Sequence, residues 1–410
     1  MSSSTTTPDL VAQERLPVAA LLALAMTGFI CIVTETLPAG LLPHIAGSLA
    51  VTPALAGQAV TAYAAGSLLA AIPLTIATRH WRRRAVLLLT IAGFLAFNSM
   101  TALAPNLWTL LAARFLAGMS AGLAWSLLAG YARRMVAVHQ QGRAMAIAMV
   151  GTPIALSLGV PLGTWFGTTL GWRGAFGIMS ALTIALIAWV VLKVPDYPGD
   201  NGRERMALRK VFMTPGVPSV LGTVVAWMLA HNILYTYIAP FAARAGLGAH
   251  VDAVLLVFGA AALAGIWLAG RLVDRHLRAA VLASLALFAC VALLFAWLGH
   301  LPVVVHAGVA LWGLSFGGAA TFLQTALADA AGHGADTALS INVVAWNSAI
   351  AGGGVLGGIL LDRWGAPSFA WALLVLLALA FAIAWSARAH GFRPGPRAAS
   401  TAARSAAAGH

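Results

Sequence analysis

The chain has 410 residues, of which 61% are hydrophobic and only 9% are charged. Soluble domains usually carry about 25% charged residues, so this composition excludes an ordinary soluble protein and indicates a membrane protein. The formal net charge of +13 raises the alternative of a nucleic-acid partner, which the positions of the basic residues, described below, argue against.

Apolar runs of roughly 20 residues, long enough to cross a hydrocarbon core of about 30 Å, recur along nearly the whole chain. They predict an all-α membrane protein with twelve transmembrane helices and no room for a second globular domain. The first run is too long for the apolar core of a signal peptide, so we interpret it as a retained helix. The predicted helices span residues 17–43, 52–77, 84–103, 107–129, 143–168, 174–194, 218–242, 252–273, 279–299, 302–327, 337–361 and 368–388.

The predicted organisation divides these helices into two pseudo-symmetric six-helix halves. Both tails lack a periodic apolar face, so we assign them no function. The parts are a cytoplasmic N-terminal tail at 1–16, an N-terminal half at 17–194, a cytoplasmic central loop at 195–217, a C-terminal half at 218–388 and a disordered cytoplasmic tail at 389–410.

The first predicted helix carries an acid, Glu35, in the stretch TETLPAGLLP. The helical rise places Glu35 about 27 Å from Pro17, toward the outer side of the membrane. Acids within transmembrane segments are costly and commonly mark ion or proton pathways, so we predict that Glu35 couples protons to transport. The alternative is that Glu35 hydrogen-bonds a neighbouring helix in a wet vestibule or pairs permanently with a base.

The basic residues lie overwhelmingly on one side of the predicted bundle. With a cytoplasmic N-terminus, all but four of the 24 Lys and Arg residues fall inside; Arg173, Arg244 and Arg363 fall outside, and Arg114 lies within the fourth helix. This asymmetry follows the positive-inside rule, which predicts that both termini are cytoplasmic. It therefore argues against nucleic acid as a partner.

Arg114 is predicted to lie in the outer half of the membrane, as Glu35 does. Two interpretations stay open for it. The two residues form a pair that acts as a switch when Glu35 is protonated, or Arg114 hydrogen-bonds helix carbonyls permanently and is structural.

Small residues recur every four positions in the fifth helix and again in the eleventh. Such ridges let membrane helices approach closely. The matched ridges predict a moving interface between the halves, with static packing as the alternative. In the fifth helix the motif consists of Gly151, Ala155, Gly159, Pro161, Gly163 and Gly167, and in the eleventh the ridge consists of Asn347, Ala351, Gly354 and Gly358.

Polar and aromatic residues near the centres of helices are candidate substrate ligands. Such a mixture suits a neutral or amphipathic ligand near the bilayer midplane, where ring faces can stack on sugars or on flat drugs. Ordinary helix packing is the alternative for each residue. The candidates are His231, Asn232, Tyr235 and Tyr237 in the seventh helix, together with Tyr63, Gln324 and Asn347.

Two basic loops repeat along the chain. LTIATRHWRRRAVLL (74–88) follows the second helix and GRLVDRHLRAAVLA (270–283) follows the eighth, with Arg79 and Arg275 196 residues apart. This internal repeat supports the division into two six-helix halves.

GRLVDRHLR in the second loop resembles the loop signature of the major facilitator superfamily. LAARFLAGMSAG (111–122) and GTPIALSLGVPLG (151–163) resemble that superfamily's fourth-helix motif and the fifth-helix motif of its proton-coupled exporters. The similarity spans nearly the whole chain and points to the twelve-helix drug and sugar efflux branch, particularly arabinose-efflux-like permeases. It implies a secondary transporter with alternating access, in which a first-helix acid comparable to Glu35 couples protons to substrate.

The first loop departs from that signature, since Leu74, Thr78 and Trp81 stand where the signature has Gly, Asp and Gly. The resemblance implies that these loops latch the cytoplasmic side shut. Asp274 is then the carboxylate left for this role, with Arg143 and the N-terminus of the fifth helix as expected partners. The alternative is that the basic residues only set the topology. The candidate gating residues are Arg79, Arg82, Arg83, Arg143, Gly270, Asp274, Arg275 and Arg278.

Together these features predict a secondary active transporter that exports a sugar or an amphipathic drug by proton antiport. A facilitator or importer on the same fold is the alternative. The sequence has no nucleotide-binding loop, helical zinc pattern or nucleophile elbow, so we expect no enzyme. We expect no cofactor, metal or disulfide, protons and a small molecule as partners, and a monomer in the lipid bilayer of a bacterial inner membrane.

Overall fold

The structure, a computed structural model, describes residues 16–137, 140–199 and 208–395, apart from the side chain of residue 336. Every regular element in these ranges is helical, and eleven helices among them are long and apolar enough to cross a membrane. The prediction of an all-α membrane protein is confirmed. The predictions for the tails at 1–15 and 396–410 and for residues 200–207 of the central loop lie outside the described residues.

The helices follow most of the predicted spans within a few residues. The first half comprises α1 (Val18–Gly40), α2 (Pro53–Ala77), α3 (Arg83–Ala102), α4 (Leu107–Arg134), α5 (Gln141–Thr169) and α6 (Gly171–Lys193). The second half comprises α7 (Val217–Thr236), α8 and α9 within Val251–Leu298, α10 (Pro302–Gly334), α11 (Ala335–Trp364) and α12 (Ser368–Ser386). Short helices lie at Leu42–Leu49, Leu208–Phe212 and Ile238–Ala243.

Local sequence specifies where two of these helices begin. Thr52 caps α2 by accepting a hydrogen bond from the Leu55 N–H, and a proline occupies the first helical position. Asn106 caps α4 in the same way, accepting from the Thr109 N–H at 2.9 Å. Such side chains satisfy N–H groups that have no partner within the helix.

The segment Val251–Leu298 is a 48-residue helix interrupted at one residue. A straight helix of this length would measure about 72 Å, more than twice the thickness of a hydrocarbon core. His276, with φ −131° and ψ 28°, leaves the helical region and separates residues 251–275 (α8) from residues 277–298 (α9). Counted as two crossings, they bring the number of long helices among the described residues to twelve, and that number for the whole chain stays a prediction.

The seventh helix ends earlier than the predicted span of 218–242. It stops at Thr236, and Tyr237, with φ −113° and ψ 29°, lies outside the helical region before the short helix Ile238–Ala243. Pro240 explains the interruption, because it has no N–H to bond the Thr236 carbonyl and its ring clashes with that carbonyl.

The fifth helix is also irregular, since residues Ala155–Gly159 are π-helical. Single π-helical turns insert an extra residue into an α-helix and widen it locally. At this segment the main chain of Ser157 lies so close to Gly259 of α8 that a Cβ atom at position 259 would collide with it. The two halves therefore meet at the π-helical turn.

The small-residue ridge of α5 packs within the first half. A Cβ atom on Gly151 would collide with the carbonyl oxygen of Ala25 in α1, and Cβ atoms on Gly159, Gly163 and Gly167 would press on side chains of α1 and of the residue after it. The expectation that this ridge forms the moving interface between the halves is therefore wrong, because the ridge faces α1 of its own half.

The corresponding ridge of α11 does lie between the halves. Gly354 approaches Thr61 of α2, and Gly358 approaches Gln58 of α2 as well as Tyr237. The prediction of an inter-half interface thus holds for α11, and its movement stays a prediction.

Equivalent helix pairs pack in the same way in the two halves. Gly118 of α4 lies directly against the carbonyl of Tyr63 in α2, and Gly313 of α10 lies directly against the carbonyl of Phe258 in α8. Because α2 and α4 occupy the same positions in the first half as α8 and α10 do in the second, this correspondence supports the pseudo-symmetry indicated by the repeated loops.

Candidate functional site

Glu35 lies near the end of α1. We call the end of the bundle where α1 begins and α12 ends the termini face, and the opposite end the far face, which is the end nearer to Glu35. The side chain is 8% exposed, and its carboxylate has no hydrogen bond or ion pair with another described residue. An ionised carboxylate is costly to bury without such a partner.

Arg114 is fully buried beside Glu35 and binds main-chain carbonyls. Its Nη2 donates to the Glu35 carbonyl oxygen at 3.1 Å and its Nε donates to the Ala59 carbonyl oxygen at 3.2 Å. The guanidinium also lies 4.7 Å from the centre of the Tyr63 ring. Two interpretations were open for Arg114, a switching pair with Glu35 or hydrogen bonds to helix carbonyls. The structure shows the hydrogen bonds to carbonyls, and these bonds join α4 to α1 and α2. Nη1 has no partner among the described residues.

Two further polar side chains complete the buried surroundings of Glu35. Asn98 of α3 donates to the Thr34 hydroxyl at 3.0 Å, while its own side-chain oxygen is buried without a described partner. The Tyr63 hydroxyl donates to the Cys31 carbonyl oxygen at 2.9 Å and its side chain is fully buried. Tyr63, predicted as a substrate ligand, therefore lies in the wall of the acid site with its hydroxyl occupied.

The predicted ligands of α7 divide into two groups. His231 and Tyr235 belong to a buried aromatic cluster and lie 5.2 Å apart as stacked rings. Asn232 instead donates to the Met228 carbonyl oxygen of its own helix at 2.8 Å. The Tyr235 hydroxyl is buried without a hydrogen bond to a described residue, on the helix α7 that packs against α1 of the first half.

The remaining predicted ligands, Asn347 and Gln324, do not join this group. Asn347 donates to the Val343 carbonyl oxygen of α11 at 2.9 Å. Gln324 lies exposed on α10. Their roles in binding stay predictions.

Tyr237 forms hydrogen bonds across the interface between the halves. Its hydroxyl donates to the Gly354 carbonyl oxygen of α11 at 2.7 Å and lies 3.3 Å from the Ala54 carbonyl oxygen of α2. Gln58 of α2 donates to the same hydroxyl at 3.3 Å and to the Gly354 carbonyl oxygen at 3.2 Å. The ring lies so close to Gly57 that a Cβ atom there would collide with it. These contacts lie near the far face and hold α2 against α11.

At the termini face, the segment after α6 holds the first basic loop. Asp196 accepts hydrogen bonds from the Arg82 side chain and, at 3.0 Å, from the Arg84 N–H. The Tyr131 hydroxyl donates to the Pro195 carbonyl oxygen at 2.7 Å. Burial acts to raise the pKa of Asp196, but the hydrogen bonds from Arg82 and Arg84 outweigh it and hold the pKa below the usual 3.8.

Asp196 was not predicted as the carboxylate of this loop, because the two are far apart in the chain. The available signal was an acid in VPDYPG directly after the last apolar residues of α6. The contacts of Asp196 stay within the first half. The hydrogen bond of 2.7 Å from Arg83 to the Arg79 carbonyl oxygen also lies within that half.

In the second basic loop, the contacts of one residue, Arg278, define its role. Arg278 donates to the carbonyl oxygens of Ala384 and Trp385 at 2.8 Å, and so caps the C-terminal end of α12. Its position satisfies carbonyls that have no partner within the helix. The other candidate gating residues of this group are exposed, and their latching role stays a prediction; they are Arg143, Gly270, Asp274 and Arg275.

Comparison with known proteins gives one family and several relatives. The sequence model described as "Major Facilitator Superfamily" matches residues 24–354. A "Probable sugar efflux transporter" of Helicobacter pylori (strain G27) is 30% identical over 361 residues, which cover 87% of this chain and 92% of that protein. The "Inner membrane transport protein YdhP" of Escherichia coli (strain K12) is 30% identical over 344 residues, covering 83% and 88%.

A Pseudomonas aeruginosa protein named "Transcription regulatory protein OpdE" is 33% identical over 370 residues, covering 87% of this chain and 91% of that protein. Among solved structures, a bacterial homologue of the human lysosomal transporter Spinster, in an inward-facing and occupied conformation, superposes with a TM-score of 0.73 at 15% identity. The superposition covers 92% of this chain and 98% of that chain, and it shows the shared fold.

Proposed function

Because this chain belongs to the Major Facilitator Superfamily and is a multi-pass membrane transporter of a small solute, we propose that it exports a sugar or an amphipathic drug in exchange for protons. The names of the Helicobacter pylori relatives support a sugar as the exported class. The buried, unpartnered carboxylate of Glu35 is the observation that carries the proton coupling.

The distribution of the basic residues supports an orientation with the termini face in the cytoplasm and the far face outside. The described hydrogen bonds between the halves lie near the far face; they run from Gln58 to Tyr237 and to the Gly354 carbonyl oxygen, and from Tyr237 to the Ala54 carbonyl oxygen. These contacts support an inward-facing conformation. Export requires these contacts to separate while the cytoplasmic loops close, with Asp274 as the proposed latch.

Glu35 couples the opening of the far face to the closing of the cytoplasmic loops, because its surroundings set its protonation state. Burial favours the neutral acid, whereas the adjacent buried charge of Arg114 favours the carboxylate, so the balance depends on whether water reaches the site. In the outward-facing state Glu35 takes a proton from outside and the solute leaves. In the inward-facing state Glu35 releases that proton to the cytoplasm and the next solute binds, which moves one proton inward for each solute exported.

The test is proton movement in proteoliposomes with an internal pH dye, screening sugars and amphipathic drugs. We expect one compound to evoke proton flux in the wild-type protein and Glu35→Gln to abolish that flux while the protein still inserts and folds. Asp252→Asn is the matched control, because it removes a partly exposed acid at the start of α8. Gradient-driven flux that persists unchanged in Glu35→Gln would refute the coupling role.

The same assay distinguishes proton antiport from the alternative of a facilitator or importer. Transport of a compound without proton flux, equal in the wild type and in Glu35→Gln, would identify a facilitator. Proton flux in the same direction as the solute would identify an importer.

A further inference from the structure

We propose that Asn98 of α3 is a positioning residue for Glu35. Its hydrogen bond to Thr34 holds α1 so that the Glu35 carboxylate and the Arg114 guanidinium stay apart, and this separation keeps Glu35 able to take up a proton. The inference deepens the proposed proton coupling and rests on it.

The helix α1 is weakened at the turn that carries Glu35. Pro38 lies inside this helix and has no N–H, so the main-chain carbonyl of Thr34 lacks its usual partner four residues further on and meets the proline ring instead. Sharp bends in helices form at such positions. The hydrogen bonds of α1 alone therefore do not fix where Glu35 lies.

Asn98 supports this turn from a neighbouring helix. Its amide nitrogen donates to the Thr34 hydroxyl at 3.0 Å, and both side chains are fully buried. Because Thr34 is the residue whose carbonyl Pro38 leaves unbonded, the support acts at the weak point of α1. The side-chain oxygen of Asn98 has no partner among the described residues. A buried amide that leaves one atom unsatisfied is costly, so packing alone does not explain an asparagine here.

The charges of Glu35 and Arg114 attract each other, yet the two side chains do not pair. The Glu35 carboxylate forms no ion pair with a described residue, and Arg114 Nη1 is buried without a described partner. The other two donors of Arg114 are bound to the main-chain carbonyls of Ala59 and Glu35. A buried carboxylate and guanidinium in contact would form a strong, charge-assisted pair. Their separation therefore requires that α1 be held in place, and Asn98 supplies that hold one residue before Glu35.

A direct pair would change when Glu35 is protonated. An adjacent positive charge favours the carboxylate, so contact with Arg114 would lower the pH at which Glu35 takes up a proton by about one to three pH units. The other titratable groups around this turn are Cys31 of α1, Tyr63 of α2 and Tyr235 of α7, the helix of the second half that packs against α1. These three groups are neutral at physiological pH, so Arg114 dominates.

Infrared spectroscopy of the purified full-length protein in lipid bilayers, titrated with pH, tests the inference. The signal is the carbonyl band of a protonated carboxylic acid, assigned to Glu35 by its loss in Glu35→Gln. We expect Asn98→Leu and Thr34→Val, which each remove the bond with little change in size, to lower the midpoint of this band by about one pH unit. The double variant should shift by the same amount as either single variant, because both substitutions remove the same bond.

Ser99→Ala is the matched control. Ser99 follows Asn98 on α3 and donates to the Ser180 hydroxyl of α6 at 3.0 Å, so this variant loses a bond between helices of the same half that does not involve α1. Its midpoint should equal that of the wild type. Thr34→Val exchanges only a hydroxyl for a methyl group, so it provides the test if Asn98→Leu does not fold.

The outcomes separate this inference from the proposed function. Wild-type midpoints in Asn98→Leu and Thr34→Val, shifts that add in the double variant, an equal shift in Ser99→Ala, or no Glu35 band at any pH would overturn the inference. If Glu35→Gln nevertheless abolishes proton flux in proteoliposomes, the export function stands and only the role of Asn98 is wrong. If the midpoints shift as expected but no compound evokes proton flux, Asn98 positions Glu35 and proton antiport fails.

Discussion

Removal of the Tyr237 hydroxyl should open the far face. In the structure this hydroxyl accepts from Gln58 at 3.3 Å and donates to the Ala54 carbonyl oxygen at 3.3 Å, and these two bonds join α2 of the first half to the second half; its bond of 2.7 Å to the Gly354 carbonyl oxygen lies within the second half. Tyr237→Phe keeps the ring between its glycine neighbours and deletes only these bonds. Gln58 retains its bonds to the Ala54 and Gly354 carbonyl oxygens, so the variant leaves no amide nitrogen without a partner.

The magnitude follows from the net value of a protein hydrogen bond, about 1 kcal/mol each. A loss of about 1–2 kcal/mol from the far-closed state shifts its equilibrium with the far-open state about five- to thirtyfold. A far-open population of about 1% would then rise to about 5–25%. Such a change is large enough to measure directly.

The assay is the distance between spin labels at Leu103 and Val303, which are 80% and 79% exposed near the far-face ends of α3 and α10. The labels are placed in a background without Cys31 and Cys290. We expect a longer-distance population to grow in Tyr237→Phe. Tyr131→Phe is the control, since Tyr131 also donates to a main-chain carbonyl, but within the first half. An unchanged distance distribution in Tyr237→Phe would refute the role of this hydroxyl in holding the far face shut.

Three further changes test the packing and charges of the first half. Asp196→Asn should lower the free energy of unfolding at neutral pH by up to about 1 kcal/mol. Because the pKa of Asp196 is held below 3.8, the difference in melting temperature between the variant and the wild type should persist down to that pH and vanish as the pH falls further. Arg114→Lys keeps the charge but loses the planar fork that reaches two carbonyls, so we expect a loss of about 2–3 kcal/mol in thermal unfolding, and an unchanged melting temperature would contradict a structural role. Gly151→Val should collide with α1 and cost about 1–3 kcal/mol, whereas Gly142→Val, which has open space around it, should melt as the wild type does.

The sequence alone was sufficient for the all-helical architecture and for the approximate limits of most of the helices. In lipid every main-chain polar group must be bonded within the spanning segment, so a long apolar run has essentially one solution, the helix. The repeated loops at 74–88 and 270–283 also indicated the two-half architecture. Glu35 could also be singled out from the sequence, because an ionisable group is rare in a membrane-spanning segment.

Only the tertiary structure decided what these helices face. Hydropathy carries little information about the rotation of a buried helix around its axis, so the α5 ridge could have faced either half, and its contact with α1 was not predictable. The partners of Arg114 and Tyr237 are main-chain carbonyls on other helices, and every helix offers such groups regardless of sequence. The sequence therefore determined which segments are long and apolar enough to cross the membrane, and the packing of those segments decided which residues lie beside Glu35 and which form contacts across the halves.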